Sequence, residues 1–505
     1  MASPPSTHHR MSGPTATTGE AVTSDLLRNA FTASIGKVFW DVASRSLTLL
    51  LSILLARNLG AQGYGTYAVA WYVAWMMAQV TDLGLHIVTL RSLAKTWELR
   101  VVASALAAKA LVAVLLIGGF AAVSASRILS TNVRLLWLLL AASLLVSWTE
   151  LFGVILRSRG RIAREGIVLV ALRLGLLVGA LIALRGNSGL EGIALGLALG
   201  GLPGLWLALA WMAKPLRRTR TSFRPDWQEM RGLYQASLPL ALTAAITLVY
   251  LRADLLILAA LRGSTEAGIF ASAFRLFEAM FVLSGGIVAG SFPLLAARFG
   301  QRGFPSLSRF VLTILLLVAI PAATGLFALA GPIIGFLFGE GFTEAARPLT
   351  FLAVALVAVF MNALTTHLLI VSGRMRYLVG CMTVRLTVGI LLDLVLIPRY
   401  GAVGAAGAVA GAEWSLALVT LLPHRRLFPL SVMAGVVAST LAASLIMAIS
   451  ILHLDAPLPL RIPAGIIIYG LLIVAAYRCG MLRGSPLSPT DDPHSTERSA
   501  EQGPL

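Results

Sequence analysis

About fourteen apolar runs, from near 34–56 to near 462–478, set the terms for this chain, because roughly 20 such residues are what an α-helix needs to cross hydrocarbon. Composition agrees: 58% of the 505 residues are hydrophobic and 12% are charged, against about 25% charged in soluble proteins. The expected fold class is an all-α polytopic membrane protein. Several runs nonetheless carry charge: Lys37, Asp41 and Arg45 in the first, then Arg173, Arg252, Asp254, Arg275, Glu278, Arg385, Asp393 and Glu413. A charge at membrane depth is costly, so such residues face a partner or a wet cavity. The bundle should have a polar interior.

A formal charge of +18 would suggest nucleic acid in a soluble protein, but here the cations must first be placed relative to the membrane. Arg157, Arg159, Arg161 and Arg164 crowd one connection, and Lys214, Arg217, Arg218, Arg220, Arg224 and Arg231 crowd another two runs later. Such clusters mark the cytoplasmic side. With both termini cytoplasmic, the inner segments hold 25 of the 40 Lys and Arg residues, the outer loops 8 and the runs themselves 7. Topology thus explains most of the basicity without a nucleic-acid partner.

The chain also repeats. Leu55-Ala56, Gly60, Gly65, Tyr67-Ala68 and Ala70-Trp71 recur 203 residues later as Leu258-Ala259, Gly263, Gly268, Phe270-Ala271 and Ala273-Phe274. The two copies fall at the first and seventh runs, and an even offset preserves orientation, so two six-helix lobes are expected as parallel repeats. The resulting division is a disordered cytoplasmic tail (1–33), an N-lobe (34–213), a basic cytoplasmic linker (214–231), a C-lobe (232–424), two additional C-terminal helices (425–480) and a second disordered tail (481–505). Gly192, Gly196, Gly200 and Gly204 form a ladder along the sixth run, where helix packing is the default reading and a hinge the alternative.

Catalysis has no visible seat. There is no GxxxxGK[ST], HExxH or GxSxG, and Cys381 and Cys479 lie in or beside apolar runs without a CxxC, so no metal, disulfide or cofactor is implied. Lys37, Asp41 and Arg45 cover an arc of roughly 80° on one helix face, either as an ion pair that tolerates lipid depth or as a cationic wall suited to a diphosphate. Arg275 and Glu278 at i, i+3 pose the same alternatives. Arg252 and Asp254, two apart, point about 160° away from one another and so have different neighbours. Arg385 and Asp393 share a face, where Asp393 could pair with Arg385 or carry a proton. Asp82 and Glu150 read as helix-end or packing groups, and Trp71, Tyr72, Trp75, Trp137, Trp148 and Trp211 as interface anchors, with sugar stacking the lesser option.

Several segments together resemble the polysaccharide-biosynthesis flippases, the oligosaccharide translocases of the multidrug/oligosaccharidyl-lipid/polysaccharide exporter superfamily. They are LLARNLGAQGYGTYAVA (54–70), TDLGL (81–85), YLRADLLIL (250–258), STEAGIFASAFRLFEAM (264–280), FGEGFTEAARPLTFLA (338–353), Ser372-Gly373-Arg374 and LIPRYGAVGAAGA (396–408) with Glu413. The resemblance implies two lobes around a cavity that opens alternately to each side of a bacterial inner membrane, moving an undecaprenyl-diphosphate-linked glycan to the outer leaflet. It also implies membrane lipids, a glycan polymerase and glycosyltransferases as partners, and no enzymatic activity. The lipid II branch is more distantly similar, with arginines where this chain has Lys37, Asp41 and Arg45. The alternative within the superfamily is an H⁺- or Na⁺-coupled drug or metabolite antiporter.

Overall fold

The computed structural model describes residues 17–478, apart from 83, 96–97, 127–131, 219–223, 251 and 302. All regular structure among them is helical: α1 (Thr17–Val80), α2 (Leu85–Lys95), α3 (Leu99–Ala125), α4 (Val133–Ser158), α5 (Ile162–Arg185), α6 (Gly189–Gly200), α7 (Leu202–Arg218) and α8 (Trp227–Tyr250). There follow α9 (Ala253–Arg262), α10 (Ser264–Arg298), α11 (Phe304–Ala328), α12 (Ala330–Phe338), a 3₁₀ turn (Glu340–Ala345), α13 (Ala346–Val371), α14 (Met375–Leu421), α15 (Leu430–His453) and α16 (Leu458–Arg478). An apolar segment in lipid has no water to hydrogen-bond its backbone, and the helix satisfies that backbone internally.

Eleven helical segments among the described residues are long and apolar enough to cross a membrane. Two of them are hairpins. α1 breaks at Gly60 (φ 65°, ψ 178°), and its arms fold back so that Ser52 Oγ hydrogen-bonds Tyr64 Oη. α14 breaks at Gly401 (φ 56°, ψ −131°), and Tyr377 Oη donates to the Val419 carbonyl across the bend at 2.9 Å. With these arms counted singly, and α8–α9 taken as one rod broken at Arg252, the helical segments number fourteen, as many as the apolar runs of the sequence.

Within the stretch expected as a tail (1–33), the described residues from Thr17 onward belong to α1. Residues 1–16 and the tail 481–505 lie outside the described residues. Of the linker 214–231, residues 214–218 end α7 and 227–231 begin α8, and 219–223 lie outside the described residues. The glycine ladder is a packing surface: Cβ atoms at Gly196 and Gly200 would lie 2.4 Å from the Gly179 carbonyl and 2.2 Å from that of Gly175, on α5.

Helices α1, α4, α5, α6 and α7 pack on one another, as do α9, α10, α11, α13 and α14, with α15 on α11 and α16 on α15. The two groups meet mainly where α1 crosses α10, and again where α2 and α3 meet α8. The crossing is symmetric and tight. A Cβ at Gly65 would sit 1.7 Å from the Ser264 carbonyl oxygen, and one at Gly268 would sit 2.0 Å from that of Ala61. Ala61 and Ser264, like Gly65 and Gly268, are repeat mates 203 residues apart. Beside them Gly60 and Gly263 adopt nearly the same backbone (φ 65° and 88°, ψ 178° and 179°), a conformation that costs glycine least. Arg57 closes this end further by donating to the carbonyls of Phe336 and Leu337 at the end of α12, where the helix dipole is negative.

Gly65→Val should therefore prise the hinge end apart. Spin labels on the exposed Asn58 and Glu340 would report a longer distance in the variant than in wild type, and an unchanged distribution would show that the crossing does not hold this end shut.

Candidate functional site

The first arm of α1 presents Lys37, Asp41 and Arg45 on successive turns. Lys37 Nζ lies 3.2 Å from Asp41 Oδ1, and both side chains are partly exposed. Arg45 is exposed and has no carboxylate within 4 Å among the described residues. The same arm carries Ser44 and Thr48, and Thr48 Oγ1 donates to the Ser44 carbonyl at 3.0 Å. The second arm adds Tyr67, Trp71, Tyr72, Trp75 and Gln79. Apart from Lys37, which lines only a second, smaller cavity, these residues line one cavity of about 450 Å³ between the lobes, together with Glu150 of α4, Arg173 of α5, Arg252 and, from α10, Arg275 and Glu278.

Glu278 is the knot of this cavity. Its Oε1 accepts from an Arg252 terminal nitrogen at 2.6 Å, and its Oε2 accepts from Arg275 Nη1 at 3.0 Å. Arg252 occupies the break between α8 and α9 (φ −140°, ψ −2°), which turns its side chain out of the helix and over the Tyr72 ring, 3.9 Å from the centroid. Aromatic faces attract a desolvated cation, which offsets part of the cost of burying it. Arg173 pairs with Glu150 at 3.1 Å. Four arginines thus face three carboxylates in the lining, which leaves one positive charge in excess. The Nε atoms of Arg173, Arg252 and Arg275 are buried without a hydrogen-bond partner.

The remaining expected residues lie elsewhere. Arg252 and Asp254 separate as expected, although it is the break at Arg252 and not helical periodicity that turns them apart: Asp254 faces a small cavity of about 20 Å³ shared with Asp393, Gly389 and Ala412. There Asp254 Oδ1 accepts from the Leu255 amide at 3.0 Å, while Asp393 Oδ1 is buried without a partner. Asp393 does not pair with Arg385, which bonds Glu413 across the α14 hairpin instead. Glu413 in turn accepts from Asn362 at 2.9 Å. Arg385 therefore belongs to a C-lobe ion pair and does not line the main cavity.

Glu150 and Arg173 were not expected at the site. A sequence signal existed, since both recur 212 residues later, as Asn362 and Arg385, in the corresponding C-lobe network. Trp71, Tyr72 and Trp75 are cavity residues and not interface anchors. Asp82 and the fully buried Lys109 form a separate N-lobe cluster with Ser147 and His86, in which Ser147 Oγ donates to Asp82 at 2.6 Å. Among the described residues no three His, Cys, Asp or Glu side chains gather as a metal would require.

The fold recurs in known proteins. The structure superposes on the lipid II flippase MurJ in an inward closed conformation with a TM-score of 0.72 and 16% identity, over 87% of this chain and 99% of that one. An inward-facing multidrug resistance transporter of the MATE family, in the MOP superfamily, gives 0.63 and 15% identity over 79% and 99%. Both likenesses establish a shared fold. In sequence, the chain is 25% identical over 228 residues to the probable low-salt glycan biosynthesis flippase Agl15 of Haloferax volcanii, covering 44% of this chain and 47% of that protein. The chain thus spans about half the length of the curated relative it matches. The family described as polysaccharide biosynthesis protein matches residues 26–299, more than half of the chain, and the chain belongs to that family.

Proposed function

We propose that the chain is a flippase that moves undecaprenyl-diphosphate-linked oligosaccharide or polysaccharide repeat units from the cytoplasmic to the outer leaflet of a bacterial inner membrane by alternating access. The observation that carries this reading is Arg45, an exposed cation without an ion pair in a cavity whose other arginines are partnered. A diphosphate bearing a glycan cannot cross hydrocarbon unaided, because each charge and hydroxyl would lose its water. Arg45 offers it a partner. The net excess of a single charge in the lining keeps the field weak enough for release on the far side.

Lys37, Asp41 and Arg45 also border a second cavity of about 200 Å³ between α1 and α10, whose α10 wall, with Phe281, Val282 and Gly285, is apolar. A diphosphate at Arg45 would therefore stand at the junction of a polar chamber for the glycan and a cavity with one apolar wall for the start of the lipid tail. With the basic connections cytoplasmic, the Gly65–Gly268 crossing is the closed outer gate. Glycosyltransferases and a glycan polymerase would act before and after this step, on opposite faces of the membrane.

The second reading, a cation-coupled antiporter, is favoured by Asp254 and Asp393, two buried carboxylates facing one small cavity. In a flippase the same pair would bind the coupling proton or cation. Asp393→Asn should then abolish any dependence of transport on a proton or sodium gradient while leaving gradient-free exchange measurable, and a gradient response equal to wild type would remove the pair from the mechanism.

In liposomes holding fluorescent undecaprenyl-diphosphate-linked glycans, Arg45→Ala and Arg252→Ala should each slow translocation by roughly tenfold or more, the loss of a charge-assisted contact. Wild-type rates in both variants would refute the cationic cavity. Drug efflux by the wild type without movement of any lipid-linked glycan would favour the antiporter.

Glu278→Gln tests the scaffold. It strands two arginines that are each less than one-fifth exposed, and breaking a buried ion pair costs about 3–5 kcal/mol. Purified Glu278→Gln should melt well below wild type, whereas Arg45→Ala, which breaks no pair, should melt with it.

A further inference from the structure

The second arm of α1 carries Tyr67, Trp71, Trp75 and Gln79 at successive four-residue steps, so that they form one stripe along a helix face. All four line the main cavity. Tyr67 is stacked on Trp71 (centroids 6.1 Å apart, planes 27° apart), and Trp71 and Trp75 are only partly buried even though they point into the bundle. Ser44 and Thr48 of the first arm put hydroxyl groups in the same lining.

Internal symmetry separates a packing role from a binding role. The repeat mates of Tyr67, Trp71 and Trp75 are Phe270, Phe274 and Glu278. Phe270 and Phe274 are buried, 1% and 7% exposed, and pack on one another with ring centroids 5.4 Å apart. Tyr67 is as buried as its mate Phe270, and Trp75 and its mate Glu278 both line the cavity, but at the middle position Phe274 fills core in one lobe where the partly exposed Trp71 faces open space in the other. If packing alone were needed, phenylalanine would serve in both. The N-lobe instead has larger rings with polar edges beside a void, where water meets an apolar face unless a ligand covers it.

Depth places this stripe relative to the cations. Arg45 and Trp75 lie fifteen residues to either side of Gly60, or about 22 Å from the bend along each arm, so they stand level. Trp71 and Tyr67 lie one and two turns closer to the closed end. A sugar ring has an apolar C–H face and a rim of hydroxyls, so it fits an aromatic wall opposite hydroxyl and amide groups.

We infer that Trp71 and Trp75, extended by Tyr67, form a glycan track in which the sugars next to the diphosphate stack as they reach from Arg45 toward the closed end. The inference rests on the flippase reading above and adds the subsite that would make transport depend on glycan length.

The test compares undecaprenyl diphosphate carrying one N-acetylhexosamine with the same lipid carrying a tetrasaccharide, in liposomes containing wild type, Trp71→Leu or Trp71→Phe. Trp71→Leu should slow the tetrasaccharide roughly tenfold more than the monosaccharide, and Trp71→Phe should restore most of that rate. Trp71→Met supplies the same comparison if Trp71→Leu does not fold. A wild type that moves both lipids, with variants that slow both equally or neither, overturns the track and leaves the flippase reading standing. A wild type that moves neither lipid overturns both.

Discussion

The contact on which the rest of this structure depends is the crossing of two backbones at Gly65 and Gly268. Neither position has room for a side chain, and each glycine approaches a carbonyl belonging to the other half. The crossing sets two helical hairpins face to face about a local two-fold axis. Every pairing across the cavity then follows from register. Tyr72 and Arg275 are repeat mates, as are Trp75 and Glu278, and the axis brings these four together with Arg252. A shift of one residue at the crossing would turn these side chains away from one another, because neighbours on a helix point about 100° apart.

Symmetric ancestry does not produce symmetric chemistry. At matching positions one half offers leucine and aromatic rings, such as Leu49, Tyr72 and Trp75, where the other offers Arg252, Arg275 and Glu278. The charged set needs the aromatic set. Arg252 lies over Tyr72, with Trp75 and Phe274 nearby, so a cation deep in the bundle is held by ring faces as well as by a carboxylate. Farther from the axis the halves converge again. Arg173 with Glu150 and Arg385 with Glu413 and Asn362 tie helices together within each lobe, and only the first pair reaches the cavity.

Charge inside this bundle is consequently of two kinds. Ion pairs such as Arg385–Glu413 and Lys109–Asp82 are closed on themselves and make each lobe a rigid unit. Arg45, by contrast, stands exposed where two cavities meet. A molecule that moves a charged head group needs both. Rigid lobes let a small change at the crossing become a large opening at the far end, and a weakly committed cation can take the substrate up and give it back.

The architecture was legible in the sequence because lipid imposes a strong rule. Runs of the right length must be helices, and glycines recurring 203 residues apart announced the matching bends of α1 at Gly60 and of α9–α10 at Gly263. The separation of Arg252 and Asp254 was expected from the period of one helix, but it arises at the break between α8 and α9, where Arg252 leaves the helical path. The partner of Arg385 was not, because Asp393 shares its face while Glu413 reaches it only when α14 folds back at Gly401. Nor could the tryptophans be placed, since an apolar run looks the same whether a ring faces lipid or a cavity. The sequence by itself determined where the helices fall and what each carries, for those depend on local periodicity and hydrophobicity. Only the tertiary structure decided which charges neutralise one another between helices and that Arg45 stands without a carboxylate beside it, for that depends on distances between segments far apart in the chain.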